Sequence, residues 1–82
     1  MRDRDVAVLV VTRRMAADGE GRQLRLAARL SLAEVAAAVD VDTSTIWRWE
    51  QGRRRPRGEA ALRYGHFLRA LQGPGRDRSA AS

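Results

Sequence analysis

The segment from Ser31 to Gly52 constrains the fold of this chain more than any other part of the sequence. It reads as two short helices joined by a tight turn at residues 40–42. Ser31 is a favourable helix N-cap, and Glu34, three residues later, completes the pattern of a capping box. Gly52 matches the glycine that commonly follows the last turn of a helix. The segment therefore predicts a helix pair in which the outer face of the second helix is free.

The second of these helices, at residues 43–51, has two faces of different chemistry. Ile46 and Trp49 lie three residues apart and are expected to face the core. The opposite face carries small polar side chains, one tryptophan and one arginine: Thr43, Ser44, Trp47, Arg48 and Gln51. A helix pair that offers such a face fits the major groove of DNA. The pattern thus predicts a DNA-binding helix-turn-helix.

The length and composition of the chain limit the alternatives. A chain of 82 residues makes one small domain and leaves no room for a large catalytic cavity. There is no cysteine and only one histidine, His66. The sequence therefore predicts neither a disulfide framework nor a metal site, and it indicates no cofactor and no small-molecule ligand.

The formal net charge of +6 comes from 16 basic residues, all of them arginine. A GC-rich genome would explain the absence of lysine equally well, so the placement of the arginines is more informative than their number. Five of them cluster at the end of the helix pair, with Glu50 as the only acidic neighbour: Arg48, Arg53, Arg54, Arg55 and Arg57. A basic run is often only a solvated face, but one beside a helix-turn-helix favours contact with phosphates.

The longest apolar run, Val6–Val11, is far too short to span a membrane. No small-residue cleavage site follows it, so a signal peptide is not expected. We therefore expect a cytoplasmic protein, associated with the nucleoid of a bacterial host, that makes no membrane contact.

The flanking segments are also predicted to be helical. Consecutive valines at residues 4–17 favour a strand, but no second strand is available to pair with it, so a helix is expected. A helix at residues 23–29 is expected to bury Leu24, Ala27 and Ala28, and a last helix is expected at residues 58–71. The predicted fold is all-α, a compact bundle of about five short helices. Its parts are an N-terminal extension (1–18), a DNA-binding domain (19–71) and a disordered tail (72–82).

Residues 20–71 resemble the helix-turn-helix family of the phage Cro and C1 repressors, which includes small regulators of the xenobiotic-response-element type. The resemblance is carried by Leu24-Arg25, Leu30-Ser31, Glu34-Val35-Ala36, Val39, Val41, Ser44-Thr-Ile46, Trp49-Glu50, Gly52 and Pro56. It implies a structural ion pair between Arg25 and Glu50. It also implies that the base-reading positions fall on Thr43, Ser44 and Arg48.

The chain departs from this family at three positions. Arg29 and Asp40 stand where the family usually has glycine. A left-handed backbone would cost an arginine about 1 kcal/mol, so the helix is expected to end differently at Arg29. Leu32 replaces a frequent glutamine, so the phosphate contact of that glutamine is not implied.

These observations assign candidate roles to individual side chains. Arg48 is expected to bind guanine O6 and N7 with its fork of donors. Trp47 either contacts a thymine methyl group or a sugar, or packs against the arginine-rich segment that follows. The candidate phosphate-binding residues are Ser31, Gln51, Arg53, Arg54, Arg55 and Arg57.

The function expected from the sequence is that of a sequence-specific regulator of transcription, a Cro-like repressor that binds double-stranded DNA. Two copies, a homodimer on an inverted-repeat operator, are expected because one helix reads few base pairs. An excisionase with a β-hairpin wing after Gly52 and an antitoxin-type interaction protein are the alternatives. No catalytic constellation is evident, so an enzyme is not expected.

Overall fold

The computed structural model describes residues 2–81, with side chains described for residues 2–73. Over this range the chain forms five helices and no strand. The helices are α1 (Asp3–Ala17), α2 (Glu20–Ala27), α3 (Leu32–Val39), α4 (Thr43–Glu50) and α5 (Gly58–Ala81). The predicted all-α fold of about five helices is confirmed. None of the helices in the described part of the chain has the length and the hydropathy of a membrane-spanning segment.

Helix α1 contains the valine-rich segment that could have formed a strand. A helix satisfies the backbone groups of this segment internally, which an unpaired strand could not do. Asp3 and Asp5 lie in its first turn and Arg14 in its last, so the charges complement the helix dipole. Four residues of the inner face are buried: Leu9, Thr12, Met15 and Ala16. This face packs mainly against α5.

The core lies where α3 and α4 pack on α5. Val35 and Val39 of α3, Ile46 of α4 and Leu68 of α5 are almost completely buried in it. Trp49 of α4 stacks on Tyr64 of α5, with ring centroids 5.0 Å apart and ring planes inclined by 36°. Helix α5 therefore packs against the inner side of the helix pair, and the opposite side of α4 is left to solvent.

One residue with a left-handed backbone follows α2, just before the helix pair, and another follows α3, in the turn of the pair. Arg29 has φ 60° and Asp40 has φ 63°. The Leu30 N–H donates to Arg25 O at 3.1 Å, and the Arg29 N–H donates to Leu26 O at 3.0 Å, as in a Schellman motif. The expectation that the helix would end differently at Arg29 is therefore wrong. The chain keeps the glycine-type turn and tolerates the strain of an arginine there.

Helix α2 begins three residues earlier than expected, at Glu20. Leu24 is buried as predicted, but Ala27 and Ala28 are exposed, and that part of the prediction is wrong. The inner side of α2 runs instead through Gly21, Leu24 and Arg25, because Arg25 reaches across to α4.

Helix α5 covers the predicted helix at residues 58–71 and is interrupted at Gly73, which has φ 69° and ψ 166°. A wing of two strands after Gly52 is therefore not present at residues 58–72. A disordered tail is predicted at residues 72–82. Most of these residues have side chains that lie outside the described part of the chain, so the disordered tail stays a prediction.

Candidate nucleic-acid interface

Helix α4 separates its core residues from its outward residues along the whole of its length. Ile46 and Trp49 are buried on one side. The other side, here called the outer face, consists of five exposed residues: Thr43, Ser44, Trp47, Arg48 and Gln51. All the candidate base-reading residues thus share one solvent-exposed surface. That these side chains read bases stays a prediction.

The N-terminal end of the outer face offers free backbone donors. Asp42 precedes the helix, but its side chain makes no capping hydrogen bond. Its carbonyl oxygen accepts from the Thr45 and Ile46 N–H groups at 3.0 and 3.4 Å. The N–H groups of Thr43 and Ser44 point out of the first turn, where the helix dipole favours an anion. Both residues can therefore offer a hydroxyl and a backbone donor on the same surface.

Trp47 makes a cation–π contact with the guanidinium group of Arg53. The Arg53 guanidinium carbon lies 5.4 Å from the centroid of the Trp47 ring, and Trp47 remains 41% exposed. Such a contact at an exposed site contributes about 0.5–1 kcal/mol. Of the two interpretations of Trp47, the structure shows the packing against the arginine-rich segment. The exposed part of the ring is still available for contact with a sugar or a methyl group.

Residues 53–57, here called the connector, leave α4 through a glycine turn. Gly52 has φ 71°, and the Arg53 N–H donates to Arg48 O at 2.9 Å. Pro56 is fully buried and anchors the connector to the rest of the fold. The four arginines of the connector are all exposed: Arg53, Arg54, Arg55 and Arg57. The connector thus presents its positive charge to solvent beside the C-terminal end of α4.

A further arginine, which the sequence pattern did not indicate, joins this surface from α1. Arg13 Nε donates to the backbone oxygen of Pro56 at 2.8 Å. A shallow groove, here called the arginine groove, is lined by four arginines: Arg13, Arg54, Arg55 and Arg57. No carboxylate of a described residue forms a salt bridge with any of them. The groove therefore has the charge and the donors to hold a phosphate group.

No local signal in the sequence could have placed Arg13 in this groove. Its contact with Pro56 joins residues that are 43 positions apart. Arg13 also follows a run of valines, and at that position the sequence indicates only that it favours a helix.

The orientation of α4 is fixed by an ion pair with α2. Arg25 Nε and Nη2 donate to the two carboxylate oxygens of Glu50 at 2.7 and 3.0 Å. Arg25 Nη1 donates to Leu30 O at 3.0 Å. The hydrogen bonds that Arg25 donates to the Glu50 carboxylate raise the pKa of Arg25. The exposed fractions are only 11% for the Arg25 side chain and 2% for that of Glu50, so the loss of either partner would leave a poorly hydrated charge.

Ser31 takes part in a reciprocal cap at the start of α3. The Glu34 N–H donates to Ser31 Oγ at 3.0 Å, and the Ser31 N–H donates to Glu34 Oε1 at 2.8 Å. The backbone N–H of Ser31, followed by its hydroxyl, holds the pKa of Glu34 below its usual value. Ser31 remains exposed, so it is accessible from solvent. The phosphate contact of Ser31 stays a prediction.

Comparison with known proteins agrees with this architecture. A family model described as a helix-turn-helix domain matches residues 22–79, which is more than half of the chain. Neither a curated protein nor a solved structure matches the chain.

Proposed function

The chain belongs to the family of helix-turn-helix domains, and from this premise we propose that it is a sequence-specific regulator of transcription. It binds double-stranded DNA, with the outer face of α4 in the major groove. In this proposal Arg48, Ser44 and Thr43 read base edges, and Trp47 contacts a sugar or a thymine methyl group. The arginine groove, together with Arg53, Gln51 and Ser31, holds the flanking phosphates.

The observation that carries this proposal is the position of the exposed arginines relative to the outer face. Arg48 lies one turn after Ser44, and both are exposed. The connector follows this helix after the turn at Gly52 and places its cations beside the C-terminal end of the helix. Contacts to bases give specificity, whereas contacts to phosphates give affinity and register. The surface has side chains for both tasks within one short stretch of chain.

Within this class of protein we propose a Cro-like repressor that binds as two copies to an inverted repeat. The resemblance of residues 20–71 to the Cro and C1 repressors supports this choice. One helix contacts only a few base pairs, and two copies related by a two-fold axis double the site that is read.

Selection of bound duplexes from a random pool tests the proposal. The expected result is the enrichment of an inverted repeat whose half-sites lie one helical turn apart, about 10 base pairs from centre to centre. Arg48→Ala should reduce affinity for the selected site by about 1–3 kcal/mol and should reduce affinity for random duplex much less. Failure of the pool to enrich any sequence would exclude a sequence-specific regulator.

The competing functions are less well supported. An excisionase of the winged-helix type needs a β-hairpin after Gly52, and residues 58–72 form a helix instead. An antitoxin would need a partner-binding tail, and no apolar anchor is evident in the sequence of residues 73–82. We also propose that the chain acts by binding and not as an enzyme, because the residues of the candidate interface include no nucleophile with a positioned base.

A further inference from the structure

Helix α1 exposes an apolar surface that neither its packing nor the proposed DNA contacts use. Val6, Val10 and Val11 are 44%, 60% and 46% exposed. Among the described residues, the other exposed large hydrophobic side chains are Leu26 and Trp47. Three valines on one side of a single helix are more than the scattered exposure of an ordinary surface.

The exposed side of α1 has a regular pattern. Asp3, Ala7, Val10 and Arg14 follow one another at spacings of four, three and four residues, and all are exposed. Residues at these spacings form one stripe along a helix. Val6 and Val11 flank the stripe on its two edges. The stripe thus has an apolar centre, an acidic N-terminal end and a basic C-terminal end.

We propose that this stripe is the docking surface for a second copy of the chain, with the two α1 helices antiparallel. A two-fold axis that passes between residues 8 and 9 sets Ala7 opposite Val10 of the second copy. The same axis sets Asp3 opposite Arg14 of the second copy at both ends. Charge complementarity therefore selects a second copy in the antiparallel orientation, whereas a parallel pair would place like charges together.

Arg14 retains donors for this contact in spite of its bonds within its own chain. Its Nη1 lies 3.2 Å from Asp18 and 3.8 Å from Glu20, and its side chain is 59% exposed. A guanidinium carries five N–H donors. The carboxylate of Asp3 from a second copy can therefore bind the outer side of the same group.

The biological use of this pairing, which is to bring two α4 helices to the two halves of an operator, rests on the proposed function. The pairing itself is a property of the free protein. It can be measured without DNA, so failure of the pairing and failure of DNA binding are separate results.

Sedimentation equilibrium of the full chain and of two matched variants tests the surface. Val10→Asp places a carboxylate at the centre of the stripe and should raise the dissociation constant of the dimer about tenfold or more. Leu26→Asp makes the same kind of change at an exposed apolar residue on α2 and should leave the constant unchanged. Thermal melts show whether each variant is folded. A wild-type chain that stays monomeric at every concentration would overturn the proposal, even if a different partner covers the stripe.

The absence of cysteine from the chain allows a direct test of orientation. Equimolar Ala7→Cys and Val10→Cys proteins are mixed and oxidised. The antiparallel register predicts that the mixed disulfide will exceed either homodisulfide, whereas a parallel pair would favour the homodisulfides and contradict the assignment. Binding of the wild-type chain to duplex DNA, measured in parallel, decides the proposed function independently.

Discussion

At the scale of single residues, Arg29 and Asp40 show where the chain keeps a backbone shape that its side chains do not favour. Both have positive φ, and each ends a helix of the bundle. Asp40 tolerates the left-handed region because its short polar side chain can bond locally, but the long side chain of Arg29 has no such advantage. Arg29 is exposed, so replacing it tests the cost of the backbone conformation without disturbing the core.

Arg29→Gly should therefore stabilise the protein. Glycine adopts the left-handed region without the clash of a Cβ atom, and the expected gain in the free energy of unfolding is up to about 1 kcal/mol. Urea denaturation measures this change. Ala28→Gly is the matched control, because Ala28 has φ −83° and glycine there only adds entropy to the unfolded chain. A loss of stability in Arg29→Gly would show that its side chain contributes more than its backbone strain costs.

Tyr64 is a second residue whose environment makes a measurable prediction. Its hydroxyl is buried and has no hydrogen-bond partner among the described residues. Burial, followed by the nearby Glu50 carboxylate, raises the pKa of Tyr64. Because the unfolded chain loses the phenolic proton first, folding stability should be complete at neutral pH and should fall as the pH rises above about 10.

Tyr64→Phe should abolish this dependence and should leave stability at pH 7 equal or higher, since a buried unpaired hydroxyl is lost. The chain has one tyrosine, no cysteine and no lysine, so no other side chain titrates in this range. Denaturation midpoints at about pH 7 and about pH 10.5 compare the two proteins. The same decline in the variant as in the wild type would contradict the assignment.

At the scale of the helices, the contact between α1 and α5 depends on Gly65. A Cβ atom at this position would overlap Thr12 Oγ1 and would lie 2.9 Å from Val8 Cγ1. Thr12 cannot move away easily, because it is buried and its hydroxyl donates to Val8 O at 2.7 Å. The two helices therefore approach each other at a point where only a glycine leaves enough room.

Gly65→Ala should destabilise the protein although alanine is the better helix former. Alanine gains about 1 kcal/mol in helix propensity, whereas overpacking costs about 1–3 kcal/mol, so the clash should win. Thr12→Ala removes the overlapping oxygen but leaves the close contact with Val8, so in this background the cost of Gly65→Ala should be smaller. Chemical denaturation of the four proteins of this cycle gives the coupling, and a cost that does not depend on residue 12 would exclude the proposed contact.

The helices of the central pair were predictable because their signals are local. The capping box of Ser31 and Glu34, the buried Ile46 and Trp49, and the end of α4 at Gly52 each follow from residues a few positions apart. The path of α2 was less predictable. Its inner side includes Arg25, whose partner Glu50 lies 25 positions away along the chain.

At the scale of the whole molecule, the surfaces formed by distant segments could not be read from the sequence. Arg13 meets the connector, and Gly21 meets Tyr64, only because α1, α2 and α5 fold onto one another. A tally of arginines gives the charge of the molecule but not the shape of the groove that they line. The contribution of α1 to the candidate interface is thus a result of tertiary packing.

This view of the molecule predicts that α1 takes part in binding the DNA backbone. If Arg13 holds a phosphate in the arginine groove, Arg13→Gln should reduce the slope of log K against log salt by about 0.9, the value for one phosphate contact. Fluorescence anisotropy with a random duplex at several salt concentrations measures the slope. Arg4→Gln is the matched control, since it removes the same charge from α1 about 13 Å away along the helix axis. Equal slopes for the two variants would show that Arg13 adds only to the overall charge and that the groove does not bind phosphate.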